Sequence, residues 1–239
     1  MFKNKKILGL IPARGGSKGI LRKNLALLAG RPLIAHTIEA SLQTRCISRL
    51  IVSTDDPEIA EIAKQNGAEV PFMRPAELAD DQAGALEVIQ HALHTLETSE
   101  GWRAEVVVYL QPTSPLRRAE HIDAAVELLV AKQADSVVSV VEAPHNFSPV
   151  SLMKLEHGIL TPYLGENGPL RRQDKPKLFA RNGPAVLALN VATVKKLNTL
   201  YGPRTLPLLM DQMDSLDIDT PFDLELAAWL LGRREAPGE

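Results

Sequence analysis

Along this chain, short apolar runs rich in Val, Ile and Leu alternate with longer segments whose apolar positions recur at helical spacing. Runs that are apolar throughout, instead of every second residue, mark strands covered on both faces, which is the signature of a mainly parallel sheet with helices on either side. Strands are predicted at "KKILGLIP", "ISRLIVST", "EVPFM", "AEVVVYLQ", "SVVSVVE" and "PAVLAL". Helices are predicted at "PLIAHTIEASLQ", "PEIAEIAKQN", "ALEVIQHALHTLE", "AEHIDAAVELLVAKQ", "VATVKKLNTL" and "PFDLELAAWLLGRR". Pro32 and Pro57 stand at expected first helical positions, and Thr220 with Asp223 forms a capping pair around Pro221. The class is α/β and Rossmann-like. Residues 143–180 break the alternation, being dense in proline and lacking a long periodic segment; they read as an excursion from the sheet, either a lid or a dimerisation arm.

Composition narrows the function without naming it. The 239 residues, 45% of them hydrophobic, suffice for one domain spanning 1–239. A net charge of -2 gives no whole-molecule attraction to nucleic acid or anionic lipid, so an anion site must come from local clustering. The single cysteine, Cys46, excludes an internal disulfide and reads as a structural thiol. No run approaches the roughly 20 apolar residues of a membrane helix, and the N-terminus lacks a leader's cleavage pattern, so a cytoplasmic protein is expected.

In an open parallel sheet, ligands bind beyond the carboxyl ends of the strands, which directs attention to the loops there. After the first strand comes "ARGGSKGILRKN", with Arg14, Lys18, Arg22 and Lys23 spaced by Gly15, Gly16 and Gly19 and with no acidic residue among them. It is neither a Walker A loop nor a dinucleotide fingerprint. Its glycines would let backbone amides approach phosphate oxygens, and its cations would offset the charge of a polyphosphate. Near the end, "SLDIDTP" sets Ser215, Asp217 and Asp219 two apart, on one face of an extended segment, a spacing that suits a hard cation such as Mg²⁺. "LQPTSPLRR" presents Gln111, Thr113 and Ser114 on a proline-pinned turn, with Ser114 also readable as a helix N-cap. "STDD" before Pro57 is partly accounted for by capping. The six histidines show no ligand spacing, and His91 and His94 are expected on a helix surface.

Taken in order, "IPARGGSKGILRKN", "VSTDD", "RPAELADD", "LQPTSPLR", "ARNG" and "SLDIDTPFDL" resemble the acylneuraminate cytidylyltransferases, the CMP-sialic acid synthetases and their relatives for other nine-carbon keto sugars, over nearly the whole chain. The resemblance implies a nucleotide-diphospho-sugar transferase fold and transfer of CMP from CTP to the anomeric hydroxyl of a 2-keto-3-deoxy sugar acid, with Mg²⁺ required. Carried onto this chain, it makes Arg14 and Lys23 the phosphate cations at the reacting centre. Gly15, Gly16, Ser17 and Lys18 belong to the nucleotide site, with Asn24 and Arg74 on the cytosine. Gln111, Ser114, Arg172 and Asn182 form the sugar side, and Asp217 and Asp219 hold the metal. It also implies a homodimer made through residues 143–180. The family's usual Ser-Ser pair is Gly84-Ala85 here, and the tyrosine often found after Asn-Gly is missing. These departures point to a legionaminic-type sugar and keep open GTP as the nucleotide; the eight-carbon Kdo as the sugar, and a non-enzymatic nucleotide-binding regulator, also remain as alternatives.

Overall fold

The computed structural model describes residues 5–17, 19–80, 83–164, 171 and 175–235. The chain begins with β1 (Ile7–Pro12), whose long following loop ends in a small hairpin, β2 (Leu27–Leu28) and β3 (Arg31–Pro32), before α1 (Leu33–Leu42). Then come β4 (Arg49–Ser53), α2 (Pro57–Gln65), α3 (Ala85–Glu100), β5 (Val106–Tyr109), α4 (Ala119–Ala131) and β6 (Ser136–Glu142). The excursion supplies β7 (Met153–Glu156), β8 (Ile159–Pro162) and β9 (Phe179–Arg181). The chain closes with β10 (Leu187–Asn190), α5 (Val191–Leu197), β11 (Thr205–Leu209) and α6 (Pro221–Glu235).

One sheet runs in the order β11-β6-β10-β5-β1-β4, with β9 pairing β6 off this path. β1 lies parallel to β4 and β5, and β11 parallel to β6, while β10 runs antiparallel between β5 and β6. The alternation of the strands divides the core. Ile7 and Ile11 of β1 join Val106 and Val108 of β5 under α1, α2 and α4, while Leu8, Leu10, Val107 and Tyr109 face α3 and α5. Continuous apolar strands are therefore needed, because both faces are covered. A third cluster joins Leu28 and Leu33, from the end of the opening loop, to Ile218 and Ala227, with Ile20 and Leu216 packed against them. It fastens the first loop to the last helix.

The helices fall where the periodicity puts them. The Asp56 carboxylate accepts from the backbone N–H of Glu58 and Ile59, with Pro57 as the first residue of α2. Asp223 accepts from Thr220 and Thr220 Oγ1 from the Asp223 N–H, as a capping pair should. Pro32 is instead the residue before α1.

Three further expectations are corrected. "EVPFM" makes only one bridge, Ile51 to Glu69, because Pro71 has no N–H with which to continue the ladder. Ser114 is not an N-cap: α4 starts at Ala119 with Arg118 before it. His91 is half-buried in an edge contact with Phe72, so only His94 lies on the surface. The excursion expected over 143–180 leaves the sheet and carries short strands of its own. β7 and β8 form a hairpin whose turn, His157-Gly158, has φ of 53° and 78°, as a two-residue primed turn requires, and β9 returns the chain to β6.

Candidate active site

From β1 the chain passes to β4 on one side and later to β5 on the other, so β1 and β5 flank a topological switch point. A cavity of about 440 Å³ opens there. Pro12 and Arg14 wall it from the end of β1, Ser17, Gly19, Lys23 and Asn24 from the loop, Arg74 and Asp80 from the segment after β4, Gln111 and Thr113 from the end of β5, and Asp217 and Asp219 from the segment before α6. Sequence motifs far apart thus converge on one space.

The loop's cations have different fates. Lys23 Nζ donates to the Ile218 carbonyl oxygen at 2.8 Å and to Asp219 Oδ1 at 3.0 Å. Arg14 donates to the Asp80 carbonyl oxygen at 2.9 Å. Arg22 turns away: it pairs with Asp56 at 2.7 Å and with Glu58, both at the start of α2, so acids absent from the loop itself are supplied across space. Lys18 and Arg172 lie outside the described residues.

The glycines divide likewise. The Gly15 N–H donates to Asp55 Oδ1 at 3.0 Å, and a Cβ there would crowd Asp56, so this glycine serves the packing of the loop on α2. Gly16 faces open space and is not part of the cavity wall. A Cβ on Gly19 would run into the Asp219 carbonyl oxygen, so only glycine lets the loop touch the acidic segment.

Asn24 is buried and donates through Nδ2 to the Arg14 carbonyl oxygen at 2.9 Å, which leaves Oδ1 as an acceptor at the cavity. Buried Arg74 donates to Ser53 Oγ at 3.1 Å, to the Ser53 carbonyl oxygen and to the Leu78 carbonyl oxygen at 3.2 Å; burial lowers its pKa from the usual arginine value. Ser114 and Asn182 wall neither this cavity nor its neighbour. Ser114 is fully buried, and Asn182 accepts from Ser139 Oγ at 2.6 Å and donates to Ser215 Oγ at 2.9 Å, tying the end of β9 to the acidic segment.

Asp217 and Asp219 point to the cavity because Leu216 and Ile218, alternating with them, are drawn into the third apolar cluster. Burial raises the Asp217 pKa, a hydrogen bond from Thr113 opposes the rise, and the charge of Asp219 adds to it. Its Oδ1 is buried without a partner. An orphaned carboxylate oxygen at a cation-rich cavity is what a metal ligand looks like before its ion arrives. Among the described residues no group of three or more His, Cys, Asp or Glu gathers, so a cation held by this pair would complete its shell with phosphate oxygens and water, as Mg²⁺ does.

The sequence did not single out Tyr109, whose phenol, pushed up to about 12 by burial, sits between the first cavity and a second of about 320 Å³. Gln111 is shared by both, and Ala85 lines the second. Nor did it single out Arg117, buried behind the turn, which donates to the carbonyl oxygens of Gln111 at 3.1 Å and Ala185 at 2.6 Å and to Thr37 Oγ1 at 2.6 Å. Among the described residues no helix is long and apolar enough to cross a membrane.

Comparison with known proteins identifies the family. Residues 8–228 match the family model described as Cytidylyltransferase. The chain is 37% identical over 237 residues to a CMP-N,N'-diacetyllegionaminic acid synthase of Legionella pneumophila, covering 95% of this chain and 96% of that protein. It is 30% identical over 222 residues to a pseudaminic acid cytidylyltransferase of Campylobacter jejuni, covering 93% and 94%. An N-acylneuraminate cytidylyltransferase of Escherichia coli is 35% identical over 222 residues, and there the chain spans 51% of the relative's length. A solved structure of CMP:2-keto-3-deoxy-manno-octonic acid synthetase with CTP shares the fold, with a TM-score of 0.70, 17% identity, and 96% and 99% of the two chains covered.

Proposed function

This chain belongs to the cytidylyltransferase family, and on that premise we propose that it transfers CMP from CTP to the anomeric hydroxyl of a 2-keto-3-deoxy nonulosonic acid of the legionaminic type, releasing pyrophosphate. The observation that carries this reading is the meeting, at the switch point, of Lys23 and Arg14 with Asp217, whose buried Oδ1 has no partner. The 37% identity to a legionaminic acid synthase favours that sugar class.

In this reading Arg14 and Lys23 lie along the triphosphate and offset the charge that develops on the α-phosphate and the departing pyrophosphate. Asn24 Oδ1 accepts from the exocyclic amine of cytosine, while Arg74, held by Ser53 and Leu78, forms the rigid floor beside it. Gln111, whose carbonyl oxygen is fixed by Arg117, presents its amide where the sugar enters. Asp217 and Asp219 would hold Mg²⁺, which when bound supplies Lewis-acid neutralisation at phosphate oxygens. The protein's own contribution is alignment: it brings the hydroxyl and the α-phosphate together in line and excludes water. The excursion is an arm for a homodimer.

A pyrophosphate-release screen crossing CTP, GTP, ATP and UTP with several nonulosonic acids and Kdo tests the proposal. Release is expected with CTP and a legionaminic-type acid. Preference for GTP or for Kdo would replace this reading, and no release with any pair would favour a regulatory nucleotide binder.

A further inference from the structure

Residues 210–220 join β11 to α6 without a helix or strand of their own, yet they carry Asp217 and Asp219 to the cavity. Their course is set by α6. Leu216 and Ile218 pack with Leu224, Ala227, Ala228 and Leu231, so the segment runs back along the helix that follows it. The lengths match: six extended steps from Asp214 to Thr220 and thirteen helical rises from Pro221 to Arg234 each come to about 20 Å. Both ends are pinned. At one, the Asp223 carboxylate accepts from the backbone N–H of Asp219 at 3.1 Å and of Thr220 at 2.7 Å. At the other, Arg234, in the last turn of α6, donates to Asp214 and, at 2.9 Å, to the Leu116 carbonyl oxygen.

Buried Asp214 meets two further side chains from the start of α4. Arg118 Nη2 donates to its Oδ2 at 2.9 Å, and His121 Nε2 lies 3.3 Å from the same oxygen. Burial favours the neutral imidazole; its Nδ1 accepts from the Arg118 backbone N–H at 3.2 Å, so the hydrogen sits on Nε2, facing the carboxylate. None of these four side chains walls the cavity. A buried ion pair adds little net stability over apolar packing, so the use of such a cluster is to fix a location.

We propose that Asp214 is a positioning residue for the metal-binding pair: held by Arg234, Arg118 and His121, it keeps residues 214–220 taut along α6, so that Asp217 and Asp219 present their carboxylates in one geometry. This rests on the metal role proposed above for the pair and adds what sets its placement, which a cation site needs to within about 0.5 Å.

Two Mg²⁺ titrations test the inference, one of turnover with CTP and a legionaminic-type acid, the other of Tm with CTP alone. D214N should raise the Mg²⁺ concentration for half effect by about tenfold or more in both, as loss of a group that orients metal ligands does, while KM for CTP at saturating Mg²⁺ stays within about twofold. R118Q, which removes one partner from the surface, should raise it by about threefold. D123N is the control for stability. It removes an equally buried carboxylate of α4, which accepts from the Arg45 and Cys46 N–H at 3.1 Å away from the cavity, and should leave the Mg²⁺ requirement unchanged. A requirement within about twofold of wild type in D214N, or in R118Q should D214N not fold, would overturn the inference, as would an equal rise in D123N. A wild-type Tm indifferent to Mg²⁺ with CTP would overturn the metal role and this inference together. Absence of wild-type turnover would remove the reaction alone, because the Tm titration needs no sugar.

Discussion

Asp217 is the residue on which the candidate chemistry turns, and its placement costs stability until a cation arrives. Its pKa is raised above 3.8 by burial, so the folded chain holds this proton to higher pH than the unfolded chain does. In the metal-free protein that group's contribution therefore falls as pH climbs from about 3.8 to the raised folded value, and the full cost remains at pH 7. D217N is expected to abolish turnover and yet raise the Tm of the metal-free protein at pH 7, with a flatter Tm profile across the acid window. Mg²⁺ with nucleotide should raise the wild-type Tm and leave that of D217N unmoved by the metal, as calorimetry can record. Turnover surviving in D217N, or a wild-type Tm indifferent to Mg²⁺, would remove the metal from this pair. Much of this was legible, since the spacing of two in "SLDIDTP" already put both acids on one face. What the sequence hid was the partition of the cations, because Arg22 finds Asp56 and Glu58 only through folding.

At the scale of elements, the site depends on two segments about 200 residues apart in sequence touching without a side chain between them. Gly19 is the contact, and Lys23 fastens it by donating to the Ile218 carbonyl oxygen and Asp219. G19A puts a methyl group against rigid backbone, which must separate by an ångström or more or shift the loop; overpacking of this kind costs about 1–3 kcal/mol. Because the opening concentrates at the cavity, kcat/KM should fall by about tenfold or more while circular dichroism shows an intact fold; activity within about twofold of wild type would mean the loop adjusts freely. The helices were readable because each buries one stripe and several carry capping residues. Of the strands in the second half, β6 and β10 were read as "SVVSVVE" and "PAVLAL" but the others were not: β11 contains Pro207 and sits at the sheet edge, where a missing N–H is tolerated, and β7, β8 and β9, of three or four residues each, carry no continuous apolar run.

For the molecule as a whole, the hairpin β7–β8 is the outlying feature, exposed at every position of both strands. The pairing sets Met153 opposite Pro162 and Leu155 opposite Leu160, so one face of this ribbon is apolar throughout, while the other carries Lys154, Thr161 and Glu156 with one apolar residue, Ile159. Leu155 and Leu160 are 70% and 60% exposed, on a two-stranded unit that is only marginally stable in water by itself. An apolar face held out on an arm needs a covering surface, and the proposed homodimer provides one. L155E with L160E replaces the centre of that face by two like charges directly opposite each other. Sedimentation should then find monomers where the wild type is dimeric at micromolar concentration, with the main sheet's unfolding transition retained, since neither side chain touches its core. A wild-type monomer, or an L155E/L160E dimer as tight as wild type, would show that this face does not join two copies.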